Sequence, residues 1–340
     1  MNLTTQYMGI ELKNPVIIGA NHLSARLSNL EKMEQNGAAG IVFKSLFEEQ
    51  LHFENLMLGT AIEEYSEIHP EITSPAFDLD FSGPKEYIYQ LKKARKALKN
   101  IPLFASLNAV YDESWVDYAL KIEKTGVQGI ELNFYTVPRP DDFYGMNPED
   151  RQSSILHNLK QALKIPVAVK LSPYSNNMVG LVRKMDSIGA NAFVLFNRFF
   201  QPDIDIEKET LHFPYNLSQE GDYKLSMRFA GMLYKNIDAQ ICASGGVFNG
   251  HDIAKLVMAG ADATQITSVL YKNGLGSITQ IINELTQWME SKGYSNLDAF
   301  KGKLSHHTTK DDFVYSRAQY LDLLLNSKEM NKYLPQPVNK

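Results

Sequence analysis

Four segments of this chain share one pattern, a glycine that ends a helix followed by a short approach into an apolar strand. They are Gly37-Ala38-Ala39-Gly40-Ile41, Gly126-Val127-Gln128-Gly129-Ile130, Gly189-Ala190-Asn191-Ala192-Phe193 and Gly260-Ala261-Asp262-Ala263-Thr264. Between them fall Asn100-Ile101-Pro102-Leu103, Lys164-Ile165-Pro166-Val167 and Asn236-Ile237-Asp238-Ala239, each leading into a strand after a basic helix end. The two kinds alternate strictly, and with the apolar strand Val16 to Ala20 they make eight strands, each followed by room for a helix. Strands that are apolar throughout are buried on both faces, as in a parallel sheet covered by helices. Eight such repeats predict an α/β chain folded as a (β/α)8 TIM barrel. An open doubly wound sheet is the structural alternative, which the eight filled positions disfavour.

A barrel of this kind needs about 250 residues, so 340 residues fit one domain spanning residues 1–340 with additions. Residues 3–14 alternate around Gly9 and predict an N-terminal hairpin. Two stretches exceed simple barrel loops: Leu46 to Pro84 after strand two and Arg198 to Glu220 after strand six. Long segments there serve as lids or substrate loops. The first is acidic (Glu48, Glu49, Glu54, Glu63, Glu64, Glu67) and reads as a solvated face. Residues 291–340 form a polar C-terminal extension. Ser28 with Glu31 is expected to make a capping box, and Asp112 to cap the helix carrying Val116, Ala119 and Ile122.

The net charge of −5, with no basic cluster, excludes a nucleic-acid surface. No apolar run is long enough to span a bilayer and the N-terminus has no leader pattern, so a cytoplasmic protein is expected. The single cysteine, Cys242, excludes an intrachain disulfide and a cysteine-ligated cluster. The eight histidines lack ligand spacing, so no metal site is expected.

In a barrel the C-terminal strand ends line one mouth. Here those ends are Ala20-Asn21, Lys44-Ser45, Asn108, Asn133, Lys170, Asn197, Ser244-Gly245-Gly246 and Thr267-Ser268. Each supplies a polar group or a glycine turn, while the strands leading to them are nearly free of polar residues. Ser244-Gly245-Gly246 and the hydroxyls of Thr267-Ser268 read as a phosphate grip, because paired glycines let backbone N–H groups approach an anion. Lys44 and Lys170 follow apolar strands, and a buried lysine needs an anion. A Schiff-base aldolase or phosphate-sugar enzyme would use such a lysine as a nucleophile. A flavin enzyme would keep it charged where negative charge accumulates on reduction. Four asparagines that both donate and accept suit a flat heterocycle, and favour the flavin.

The run Gly9-Ile10-Glu11-Leu12-Lys13-Asn14-Pro15 followed by Ala20-Asn21, the pair Lys44-Ser45, and Ser106-Leu107-Asn108, Glu131-Leu132-Asn133, Val169-Lys170-Leu171-Ser172-Pro173 and Ser244-Gly245-Gly246-Val247 resemble the class 1 dihydroorotate dehydrogenases. The resemblance spans about residues 3 to 290 in unbroken order. It implies FMN as cofactor, with Ala20, Asn21, Lys44, Ser45, Asn108, Asn133, Lys170, Ser244, Gly245, Gly246, Thr267 and Ser268 around it. It also implies hydride transfer from a CH–CH group, a homodimer, and in some members an electron-transfer partner subunit. The family carries Asn-x-Ser-Cys-Pro-Asn or a serine variant after strand four, where Cys or Ser is the base and the last Asn holds the pyrimidine. This chain has Asn133-Phe134-Tyr135-Thr136-Val137-Pro138, so Thr136 falls on the base position and Pro138 on the binding asparagine. Thr136 and Tyr135 are the candidate proton carriers, and Lys44, Asn133, Asn197 and Arg198 the candidate substrate contacts. Arg198 is expected to meet an anionic substrate or to pair with Asp203. The missing cysteine base also leaves a non-catalytic flavin-binding protein as a reading.

Overall fold

A computed structural model of the chain describes residues 1–50, 84–135, 147–214, 216–310, 314–316 and 318–325. It opens with the expected hairpin, β1 (Thr5–Tyr7) against β2 (Ile10–Leu12), turned through Met8 and Gly9 at positive φ. The apolar strand β3 (Val16–Ile18) follows, then β4 (Gly40–Val42), with a short β5 (Leu46–Phe47) beyond it. Next come β6 (Leu103–Asn108), β7 (Gly129–Asn133), β8 (Val167–Leu171) and β9 (Ala192–Leu195). A separate two-stranded antiparallel sheet, β10 (Asp203–Asp205) with β11 (Thr210–His212), lies in the Arg198–Glu220 insertion, and β12 (Gln240–Ser244) and β13 (Ala263–Ile266) complete the series.

All barrel pairings are parallel, β13 returns to β3, and β4 pairs with both β3 and β6, so eight strands close into a (β/α)8 barrel. β5 pairs with the end of β6 and extends the second position past the mouth. Outward residues such as Ile130, Leu132, Val167 and Val169 pack with helix residues Leu156, Leu159, Leu181 and Met185. Inward residues form a second buried cluster of mostly small side chains, including Ile17, Val42, Ala168, Ala192, Cys242 and Ala263. Tyr7, Met8 and Leu12 of the hairpin join this inner cluster, with the Tyr7 ring set edge-on to Phe104 at 5.4 Å. The hairpin thus plugs the N-terminal end and leaves the C-terminal mouth open. Among the described residues no helix is long and apolar enough to cross a membrane.

The alternation of two repeat kinds has a hydrogen-bonding cause. A backbone N–H at the start of a strand lies outside the regular ladder and still needs an acceptor. Gln128, Asn191 and Asp262, in the glycine-type approaches, accept from the N–H of Leu103, Val167 and Ile241 at 2.8, 2.9 and 2.7 Å. Acids near the ends of the helices that precede the glycine-type approaches serve the other kind. Glu34 accepts from Asn100 N, Glu123 from Lys164 N and Ile165 N, and Asp186 from Asp238 N and Ala239 N, at 2.7 to 3.1 Å. In the first quarter Ala39 has no acceptor to offer, and Asn14 takes the role, accepting from Val16 N at 2.9 Å and donating to Gly37 O at 2.8 Å.

Three local expectations differ. The helix Leu27–Gln35 starts from Arg26 with no side-chain cap, so the Ser28–Glu31 box does not form. Asp112 lies in the first turn of its helix, not at the cap, and meets Arg151 at 2.8 Å on the surface. That helix start is instead served by Glu48, which accepts from Val110 N at 2.6 Å, Tyr111 N at 3.1 Å and the Ser114 hydroxyl. Orphan amides and the helix dipole favour a carboxylate there, so Glu48 is buried and is not part of a solvated face. Residues 51–83 of the first insertion, with Glu54, Glu63, Glu64 and Glu67, lie outside the described residues. The C-terminal extension is fastened to the closed end by an Asn2–Asn296 bridge and a Lys301–Asp262 ion pair.

Replacing Asn191 by Ala removes the acceptor for Val167 N and for Lys160 Nζ (2.7 Å), and is expected to lower the unfolding free energy by about 1–3 kcal/mol. Urea denaturation checks this, and an unchanged midpoint would contradict the stitching role.

Candidate active site

Polar residues that the sequence places at strand ends converge on one concave region. A cavity of about 360 Å³ is lined by Lys44, Ser45, Asn133, Tyr135, Lys170 and Asn197, among others. A narrower one of about 150 Å³ runs to Ser244, Gly245, Gly246, Thr267 and Ser268. Ala20, Asn21, Lys170, Asn197, Arg198 and Phe200 line both, so the two are continuous. Asn108, beside Phe47 of β5, is buried and lines neither. Ser106, quoted in the Ser106-Leu107-Asn108 motif but not among the expected site residues, bonds Ser45 hydroxyl to hydroxyl at 2.7 Å. Thr136, Val137 and Pro138 lie outside the described residues.

Strand alternation decides which side chains face inward. Ile130 and Leu132 of β7 pack outward, so Glu131 and Asn133 face the interior. On β8, Lys170 does the same between Val169 and Leu171. The anion that the buried lysine requires is therefore Glu131, with Lys170 Nζ 3.4 Å from its Oε1. Lys170 also donates to Gln265 Oε1 at 3.1 Å, and Gln265 Nε2 donates to Glu131 Oε2. A Schiff-base nucleophile must be an unengaged amine, and Lys170 is held in an ion pair. Lys44, by contrast, is half-buried and makes no ion pair among the described residues.

The same interior charges act on their neighbours. Burial pushes the Cys242 thiol well above its usual range, Glu131 adds to the rise and Lys170 opposes it. Tyr7, pointing up from the plug, is raised by burial and by the nearby Cys242 and Glu131.

The glycine turn divides its work. Gly245 has φ +93°, and a Cβ there would meet open space on the cavity side. Gly246 has φ +70°, but its Cβ would fall 2.6 Å from Gln219 O and 2.7 Å from Asp222 Cβ. Gly246 is thus required by the packing of a neighbouring segment, while Gly245 leaves the cavity free. That neighbouring segment, 216–222, is tied down over the narrow cavity. Ser218 N donates to Ser268 Oγ at 2.9 Å, and Lys272 Nζ donates to Ser218 O at 3.2 Å and Gln219 Oε1 at 2.7 Å. Arg198 donates to Asn216 O at 2.5 Å and pairs with Asp222 at 2.9 Å. The partner of Arg198 is Asp222, not Asp203. Asp203 is carried away in β10 and faces His212 at 3.7 Å.

Asn197 Nδ2 donates to Asn133 Oδ1, which fixes both carboxamides in the mouth. The Tyr135 hydroxyl accepts from Phe200 N at 3.2 Å, its ring stacks on Phe199 at 5.2 Å, and Phe199 meets Tyr174 edge-on at 5.1 Å. This aromatic wall had no clear signal in the sequence, because its members come from three different strand-end loops.

A closed parallel barrel with a cationic, amide-lined mouth defines the class of site. The sequence profile of the family described as dihydroorotate dehydrogenase matches residues 2–289. The chain belongs to the dihydroorotate dehydrogenase family, oxidoreductases that act on CH–CH groups. It is 27% identical over 299 residues to the catalytic subunit of dihydroorotate dehydrogenase B (NAD(+)) of Methanocaldococcus jannaschii, covering 85% of this chain and 94% of that one. The corresponding subunit of Thermoplasma volcanium is 27% identical over 307 residues, 88% of this chain and 98% of the relative. Dihydroorotate dehydrogenase A (fumarate) of Lactobacillus helveticus is 22% identical over 313 residues, 89% of this chain and 99% of the relative.

A thiol raised by burial reacts poorly because the thiolate is the nucleophile. Native protein is expected to resist iodoacetamide at Cys242 up to about pH 9 and to take one label in guanidinium. Mass spectrometry reads the outcome, and labelling of the folded protein at neutral pH would contradict the burial.

Proposed function

We propose that this chain binds FMN along the continuous cavity and oxidises dihydroorotate to orotate in pyrimidine biosynthesis. The observation that carries the reading is the shape and chemistry of that cavity. One end offers the open Gly245 backbone with the hydroxyls of Ser244, Thr267 and Ser268, and the other offers Lys170, Asn133 and Asn197. A phosphate suits the first end and a flat donor–acceptor ring the second, so the residues fit FMN.

FMN, when bound, supplies the acceptor for the hydride that leaves the substrate carbon. Lys170 is the cation that stabilises the negative charge gained there. Lys44, with no ion pair among the described residues, is the group free to meet a substrate carboxylate. Arg198 is neutralised by Asp222 and serves the 216–222 segment, so its part in substrate binding is secondary. Thr136 occupies the family's base position in sequence, and the Tyr135 phenol lines the cavity, so the proton leaves through this loop. The aromatic wall of Tyr135, Phe199 and Tyr174 favours a second reading, a related flat cyclic substrate in place of dihydroorotate.

A cytoplasmic homodimer with an electron-transfer partner subunit completes the proposal. The relatives named as catalytic subunits support the partner. Exposed Ile204, Ile206, Leu211 and Phe213 around the β10–β11 hairpin supply apolar surface for assembly.

Anaerobic dihydroorotate is expected to bleach the visible band of the FMN-loaded protein. A yellow protein that does not bleach points to the related substrate, and a protein that takes up no FMN contradicts the reading. The base is distinguished by Thr136→Val and Tyr135→Phe, of which the true carrier slows the bleaching by about 10²-fold or more. Gly245→Val places its side chain in the cavity and is expected to release FMN on gel filtration. Full retention would remove the phosphate end of the site.

A further inference from the structure

Around the barrel β7 and β8 are neighbours, and β13 lies across the interior from β7. Glu131, Lys170 and Gln265 come from these three strands and meet inside the barrel, beneath the mouth. The small inward residues Ala168, Ala192, Cys242 and Ala263 leave room for them. Glu131 is 1% exposed and lines no described cavity, whereas Lys170 reaches the mouth. Glu131 Oε1 has no hydrogen bond, only the ion contact to Lys170, and the Tyr7 hydroxyl below it has no well-aligned hydrogen bond either. A buried carboxylate so sparsely served is expensive, and an apolar residue of similar size would serve stability as well or better. Its placement makes sense through the two groups it touches, Lys170 and Gln265, both of which line the cavity.

We infer that Glu131, oriented by Gln265, is a positioning residue that fixes the Lys170 ammonium at the mouth and offsets part of its charge, and so sets the reduction potential of the bound flavin. This rests on the FMN reading of the mouth. Gln265 accepts from Lys170 and donates to Glu131, so its amide orientation is dictated by both charges and the three groups form one connected unit. Lys170 alone favours the reduced ring, which carries the added negative charge. Glu131, one group further from the mouth, works against it. The pair therefore holds the potential below the value that an uncompensated lysine would give.

The test is the midpoint potential of the FMN-loaded full chain, measured by dye-equilibrated reduction, with the visible spectrum recorded alongside. Glu131→Gln keeps the size and removes the charge. It is expected to raise the potential by the equivalent of about a tenfold change in the redox equilibrium, about 30 mV for a two-electron couple. Glu131→Asp retains the charge and is expected to stay closer to the wild-type value. Gln265→Glu adds a second carboxylate against Lys170 and is expected to lower the potential, which keeps the test available should Glu131→Gln not fold. A merely structural role would change stability and leave the potential of the folded variants unmoved. Yellow variants that all share the wild-type potential overturn this inference alone. A wild-type protein that takes up no FMN overturns the reading on which it rests, and the inference with it.

Discussion

Every barrel strand is buried on both faces, and the rest of the molecule follows from that. A polar side chain on such a strand must either reach the mouth or find a partner inside. Lys44, Asn133 and Ser244 do the first, standing at strand ends next to the cavity. The N-terminal hairpin removes the other exit by packing Tyr7, Met8 and Leu12 into the bottom of the barrel. With one end plugged by mostly apolar residues, the polar strand-end residues gather at the open end.

Glu131 finds its partners inside, and it joins Lys170 and Gln265, which line the cavity, in a triangle across the barrel. This triangle links fold to chemistry. Its members are held by strands that the closed sheet fixes in register, so the ammonium that reaches the mouth has little freedom to move. The Gly245 end is built differently, from a glycine turn and a segment fastened by Arg198 and Lys272. A rigid charged end and a strapped polar end give the cavity its direction.

Much of this was legible in the sequence because the signals are local. Gly37, Gly126, Gly189 and Gly260 mark the ends of helices, each at positive φ, and the polar strand ends are read by position alone. The alternating repeat even has its cause in residues visible from sequence, since Gln128, Asn191 and Asp262 are the stitching acceptors. What escaped were partners distant in the chain. Glu48 reaches Val110, Arg198 reaches Asp222, and Gln265 reaches Glu131 across 134 positions. Local capping rules pointed to Ser28 and Asp112, but tertiary contacts supplied the Asp112 helix with Glu48. Gly246 shows the same limit, because its neighbour is the backbone of a segment from another loop.

We propose that one cavity takes a ring at the lysine end and a phosphate at the Gly245 end. Titration of the apoprotein with FMN and with riboflavin, followed by calorimetry, tests it most directly, because the two ligands differ only in the phosphate. FMN is expected to bind more tightly by on the order of 100-fold, about 2.7 kcal/mol. Equal affinities, or no binding of either, would contradict it.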